Sequence, residues 1–236
     1  ISTGNFNEST AKIYTDYTLF TTHEGILKEV NKVFNFFEVP YKINKYKHLI
    51  VSPHYTINVF NKLIDNEIAN AIVGKPASIK IKMNSFTSYK MVDKLYEASR
   101  AGVKVQLIIR GICCLIPGVK GMSENIEVIS IIDKFLEHTR LYIFSNNNDP
   151  KIYISSADWM TRNIDNRVEV SCPIYDLDIK KELQDLFEIY WSDNVKARII
   201  NHDQDNSYKI NNHEEKVRSQ FKVYDYHQNQ INSEDA

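Results

Sequence analysis

The chain has 236 residues, 43% hydrophobic and 25% charged, an ordinary globular composition with enough apolar surface for a core. Its Lys and Arg number 29 against 30 Asp and Glu, for a net charge of -1, which excludes the broad basic field of a general nucleic-acid binder and makes any anion site local. Cys113, Cys114 and Cys172 form no disulfide framework and no zinc spacing, so they read as reduced thiols in a cytoplasmic protein, and no apolar run approaches the roughly 20 residues of a membrane span.

In chain order, a Gly/Asn turn leads into an apolar, strand-like run from Tyr14 to Thr21 and a short helix from Leu27 to Phe37. Pro40 and the Lys-rich stretch Lys42 to Lys47 read as a linker. Ile57, Phe60, Leu63, Ile64, Ile68, Ala71 and Ile72 then recur at helical spacing, with Gly74 where a C-cap belongs. Ile79, Ile81 and Met83 alternate as a strand. Met91, Val92, Leu95 and Ala98 mark a helix closed by Gly102. Val103, Val105, Leu107 and Ile109 mark a second strand that ends at Arg110. After the Gly/Pro-rich loop Gly111 to Gly121 come an apolar run, Ile126 to Ile132, and strands at Leu141 to Phe144, Lys151 to Ser155 and Arg167 to Pro173. Ile179, Leu183, Leu186, Phe187 and Tyr190 mark the last amphipathic helix, and from about Asn201 the chain reads as a loose polar tail. Strands alternating with helices predict an α/β sandwich with a mixed, largely parallel sheet flanked by helices, whose ligands sit at the carboxyl ends of strands.

The sequence also echoes itself. Ser2-Thr-Gly-Asn-Phe-Asn leads to Asp16, and Ser155-Ser-Ala-Asp-Trp-Met leads to Glu169 at the same spacing. Two related halves sharing one site would produce this pattern. His138, before a strand, suits phosphoryl transfer because imidazole titrates near neutrality and can serve as nucleophile or acid/base. Arg140, two residues on, projects to the same side of an extended segment. Arg110, at a strand end, has the planar fork that suits phosphate oxygens. Lys82 lies near another strand end, and Arg162 and Arg167 flank the second echo; together these cations would neutralise a polyanion. Viewed one at a time, each is by default a surface charge, and Tyr14 is by default a core aromatic with base stacking as its functional alternative. No phosphate-binding loop of the Gly-x-x-x-x-Gly-Lys or Gly-x-Gly-x-x-Gly type is present.

Several long strings resemble the ATP-dependent polyphosphate kinases. They are Ser2-Thr-Gly-Asn-Phe-Asn-Glu with Ile13-Tyr-Thr-Asp16, Ile109-Arg-Gly-Ile-Cys-Cys-Leu-Ile-Pro-Gly118, Ser123-Glu-Asn-Ile126, Phe135-Leu-Glu-His-Thr-Arg140, and Ser155-Ser-Ala-Asp-Trp-Met-Thr-Arg-Asn163 leading into Arg167-Val-Glu169. The tail's Val217-Arg-Ser-Gln220 also fits. The resemblance implies phospholipase D-like domains, with residues 1–47 ending the first and residues 48–236 forming the second. It implies reversible transfer of the ATP γ-phosphoryl group to inorganic polyphosphate through a phosphohistidine, assisted by Mg²⁺. Tyr14, Arg110 and His138 match its nucleotide-contacting positions, with His138 catalytic, and Lys82, Arg140, Arg162 and Arg167 are candidate phosphate contacts. The phosphorylated histidine and the Mg²⁺-associated arginines of the family lie ahead of Ile1. The chain is therefore expected to be a C-terminal portion, inactive alone, of a homo-oligomeric cytoplasmic enzyme, with peripheral membrane attachment left open. No metal ligand and no nucleic-acid partner are assigned. One departure is His-x-Arg, where phospholipase D-type enzymes carry His-x-Lys; another phospholipase D-type phosphodiesterase or nuclease is the alternative, and a binding module without activity of its own is a third reading.

Overall fold

The computed structural model describes residues 1–41, 43–210 and 215–234. In chain order the elements are α1 (Glu8–Ala11), β1 (Tyr14–Thr15), α2 (Glu24–Glu38), β2 (Ile50–Val51), α3 (Thr56–Ile72), β3 (Ser78–Met83), α4 (Tyr89–Arg100), β4 (Lys104–Ile109), β5 (Ile126–Ile131), β6 (Leu136–Glu137), β7 (Arg140–Phe144), β8 (Lys151–Ser155), α5 (Thr161–Asn166), β9 (Val170–Ile174), α6 (Leu177–Trp191), β10 (Ala197–Ile200) and α7 (Ser219–Glu234).

Among the described residues one sheet runs β10-β5-β4-β3-β7-β8-β9-β2, and β1 pairs with β6 in a separate two-stranded ladder. The strands bury both faces, and alternation divides their side chains. Val105, Leu107 and Ile109 join Tyr142 and Phe144 beneath Phe60 and Ile64 of α3 and Met91 and Leu95 of α4. Ile108, Leu141 and Ile143 point the other way, toward Ile26 and Val33 of α2 and Leu183 and Phe187 of α6. This is the expected α/β sandwich with a mixed sheet. The term "largely parallel" needs correction, because within the eight-stranded sheet parallel pairing is confined to β3-β4-β5, where α4 and the long loop after β4 make the crossovers. The short connection between β7 and β8 can only join antiparallel neighbours, and β9, reached through α5, also lies antiparallel to β8.

The glycines close their helices as expected. Gly74 and Gly102 have φ of 71° and 91°, and the Gly102 and Val103 amides return to Ser99 and Ala98 carbonyls at 2.9 and 3.0 Å. Three expectations change. The run from Tyr14 to Thr21 is strand only at Tyr14–Thr15, because β6 offers two residues to pair with. Of the Lys-rich stretch, Lys42 lies outside the described residues, and the end is no free linker. The Glu29 carboxylate of α2 accepts the Lys47, His48 and Leu49 amides at 2.6, 2.9 and 2.8 Å. Burial works against that charge, but three amide donors outweigh it and hold Glu29 below the usual carboxylate range.

The tail is the third change. Residues 211–214 lie outside the described set, but α7 follows and docks beside α6 through polar groups, which a search for apolar periodicity passes over. Arg218 forks onto Asp133, with Nε donating to Oδ2 at 2.8 Å. Ser219 donates both its backbone N–H and its hydroxyl to Asp193 Oδ2, at 2.8 and 2.7 Å. The other Asp193 oxygen accepts the Val195, Lys196 and Ala197 amides, so one fully buried carboxylate ties α7 to the start of β10.

Candidate active site

The β1–β6 ladder pairs Tyr14 with Leu136 and Thr15 with Glu137. It brings the first echo to the segment ahead of β7, where His138 sits. The His138 Nδ1 lies 3.0 and 3.1 Å from the two carboxylate oxygens of Asp16. Burial raises the Asp16 carboxyl, but the bonds from His138 and from Thr3 Oγ1 outweigh it and hold the group below the usual range. An ionised carboxylate only accepts, so Nδ1 is the donor, and in the neutral ring this leaves the lone pair on Nε2. Gly4 permits this packing: a Cβ there would lie 2.0 Å from Asp16 Oδ2.

Tyr14, His138 and Arg110 converge. The Tyr14 and His138 ring centroids are 4.7 Å apart, and the Arg110 guanidinium carbon lies 5.6 Å from the Tyr14 ring centre. Arg110 leaves the end of β4, as expected of a ligand-binding position in such a sheet. Its Nη1 is buried and, among the described residues, finds no hydrogen-bond partner. Burial is the main influence pulling the guanidinium below its ordinary range, and Arg140 adds to it. A half-buried cation with an unsatisfied donor is where an anion gains most.

The other predicted cations are placed differently. Arg140 turns into the fold, where Nε and Nη2 donate to the two oxygens of Asp158 at 3.1 and 3.0 Å. Its Nη1 donates to the carbonyls of Thr3 and His138 at 3.2 and 2.7 Å, clamping the first echo against the His138 segment. Lys82 is buried, paired with Glu137 at 2.7 Å and hydrogen-bonded to Thr139, with its ammonium 4.6 Å from the Tyr190 ring centre. Both are internal struts, a correction to the picture of two cations facing a ligand. Arg162 is exposed on α5, and Arg167 is exposed with an Nη1 3.7 Å from Glu169. Neither joins the Tyr14–His138–Arg110 group through a described contact.

The echo is physical. Thr3 donates to Asp16 at 2.8 Å, and its counterpart Ser156 donates to Glu169, the counterpart of Asp16. The two differ in what they face. Asp16 has His138, whereas burial pushes Glu169 above the usual carboxylate range and its described partners are Ser156 and Arg167. The second turn is anchored by Trp159, fully buried and stacked on Tyr142 at 5.5 Å, while the Tyr142 hydroxyl donates to the Ala157 carbonyl at 2.6 Å.

Sequence reasoning missed Glu137, Thr15, Asp158 and Gln220 as site-shaping residues. Asp158 lay inside the second echo, and Asp16 was marked by the repeated spacing, but neither was tied to a site role. Cys113 and Cys172 are idle thiols, pushed up by burial to about 11 and about 12. Among the described residues no three or more His, Cys, Asp or Glu groups converge to hold a metal ion. No helix of the described residues is long and apolar enough to cross a membrane.

Comparison with known proteins gives concordant matches. The family model described as polyphosphate kinase C-terminal domain 2 matches residues 49–220, and that for C-terminal domain 1 matches residues 1–43. A polyphosphate kinase of Vibrio parahaemolyticus is 51% identical over 229 residues, 97% of this chain and 33% of that protein. One of Escherichia coli K12 is 49% identical over 226 residues, again 33% of its length. The crystal structure of polyphosphate kinase from Porphyromonas gingivalis superposes with a TM-score of 0.95 at 39% identity, covering 99% of this chain and 36% of that one. The chain spans about a third of the length of the curated relatives it matches.

Proposed function

Since the chain belongs to the polyphosphate kinase family, matching models of its two C-terminal domains, we propose that it supplies the nucleotide-binding half of an enzyme that reversibly transfers the ATP γ-phosphoryl group to inorganic polyphosphate. The observation that carries this reading is the convergence of Tyr14, Arg110 and His138 from three separate segments, with an unsatisfied guanidinium beside an oriented imidazole. Residues 1–47 close one catalytic domain in this reading and residues 48–236 form the next.

Phosphoryl transfer needs in-line placement and charge neutralisation more than covalent machinery. Arg110 neutralises phosphate oxygens, and a bound anion satisfies its free Nη1. Asp16 keeps the His138 proton on Nδ1, so Nε2 takes a proton from, or returns one to, an oxygen at the transferring phosphorus. Tyr14 packs against both groups and holds them in one wall. Magnesium, when bound, would add charge neutralisation; its ligands are not assigned among these residues. In this reading Glu169, the counterpart of Asp16, does for a second imidazole what Asp16 does for His138. That imidazole, the phosphorylated one in this reading, belongs to the other catalytic domain of the full-length enzyme. ATP, ADP and polyphosphate are the proposed ligands of a cytoplasmic, homo-oligomeric enzyme.

The phosphodiesterase alternative is weakened by Arg140. Where a His-x-Lys enzyme would offer a free lysine, this position is occupied by a cation committed to Asp158. The test is His138→Ala in a full-length polyphosphate kinase carrying this chain. ATP-driven chain growth should fall to background, and near-normal growth would reject the assignment.

A further inference from the structure

Resting on the nucleotide reading of Tyr14 and His138, we propose that Gln220 is a positioning residue, which makes α7 a working part of the site. β6 is two residues long and pairs with an equally short β1. A ladder that small does not fix its own register. Gln220 supplies what a neighbouring strand would. Its Oε1 accepts the Phe135 amide at 3.1 Å, and its Nε2 donates to the Phe135 carbonyl at 2.8 Å. One side-chain amide thus satisfies both backbone groups of the residue ahead of β6.

The same Nε2 donates to Glu137 Oε1 at 2.7 Å. The other Glu137 oxygen accepts the Thr15 hydroxyl at 3.0 Å and pairs with Lys82 at 2.7 Å. Thr15 Oγ1 in turn accepts the His138 amide at 3.3 Å. A continuous set of bonds therefore runs from the first turn of α7 to the backbone of His138, and Tyr14 hangs on the strand facing it. Arg218 on Asp133 and Ser219 on Asp193 fix the helix independently of Gln220. Removing the amide should therefore release β6 without undocking α7.

Gln220→Ala and Gln220→Glu separate positioning from bulk stability. In a full-length polyphosphate kinase carrying this chain, both should lower kcat for polyphosphate synthesis by about tenfold or more, with KM for ATP changed less. In Gln220→Glu a carboxylate faces Glu137; protonation at acid pH restores a donor, so its deficit relative to wild type shrinks as pH falls, while that of Gln220→Ala stays flat. In the 236-residue chain, the NMR signal of the His138 Cε1 proton, which senses the Tyr14 ring, should move in both variants toward its position in Tyr14→Ala. An unmoved His138 signal with wild-type kcat overturns the proposal, and so does a Gln220→Glu deficit that is independent of pH. If the wild-type full-length enzyme makes no polyphosphate, the functional reading fails and the His138 signal alone decides the role of Gln220.

Discussion

Asp16 turns His138 into a directional group, and the cost of losing it can be stated. Asp16→Asn keeps the shape but removes the charge that holds the proton on Nδ1. The full-length enzyme should lose on the order of 10²-fold or more in kcat while retaining nucleotide binding, as separate kcat and KM values would reveal. The sign with pH follows from the depressed Asp16 carboxyl. Its contribution to stability is complete above the ordinary carboxylate value and is lost as pH falls through the lower folded value. Acid titration of wild type and Asp16→Asn should show the variant lacking that part of the decline. Arg110→Ala acts on binding instead. Hydrogen bonds to charged groups contribute about 1.5–3 kcal/mol each, so KM for ATP should rise roughly 10- to 100-fold. Gly4→Ala tests the packing behind both groups, because any side chain there must displace the Asp16 carboxylate.

At the scale of elements, polar anchors decide where the chain is held. Asp193 is fully buried and accepts five donors. Asp193→Ala leaves those donors unpaired and should cost about 2–5 kcal/mol in a denaturant titration, with protease-sensitive loss of α7. Gly102→Ala should cost about 1–2 kcal/mol, since φ there is 91° although nothing lies within 4 Å of the added Cβ. These contrasts explain what was readable in advance. Strands β3, β4 and β7 and helices α3, α4 and α6 bury alternating or 3.6-spaced apolar residues, so periodicity finds them. The cap glycines declare themselves by residue type. Helix α7 docks by Arg218, Ser219 and Gln220, and β6 owes its existence to partners far away in sequence; neither leaves a periodic trace. Arg110 and His138 were legible as candidates from their placement at strand ends. The inward turn of Arg140 and Lys82 depended on Asp158 and Glu137, whose pairing only the fold supplies.

For the whole molecule, the two echoing turns repeat one arrangement, a hydroxyl donating to a carboxylate thirteen residues on: Thr3 to Asp16 and Ser156 to Glu169. Asp16 from the first echo serves His138 ahead of the second, and in the proposed reading Glu169 serves a second imidazole in the same way. Glu169 carries the corresponding expectation. Burial raises its carboxyl, so the ionised form costs stability at neutral pH. Glu169→Gln should therefore leave this chain at least as stable near neutrality, with any gain fading as pH falls through the raised value, yet it should impair polyphosphate synthesis by the full-length enzyme. A loss of both together would instead mark Glu169 as a purely structural group.

The most direct measurement is a crystal structure of a full-length polyphosphate kinase carrying this chain, soaked with a non-hydrolysable ATP analogue. The triphosphate should lie against the Arg110 guanidinium with its terminal phosphate within reach of His138 Nε2. An analogue bound elsewhere, leaving Arg110 and His138 untouched, would contradict the account.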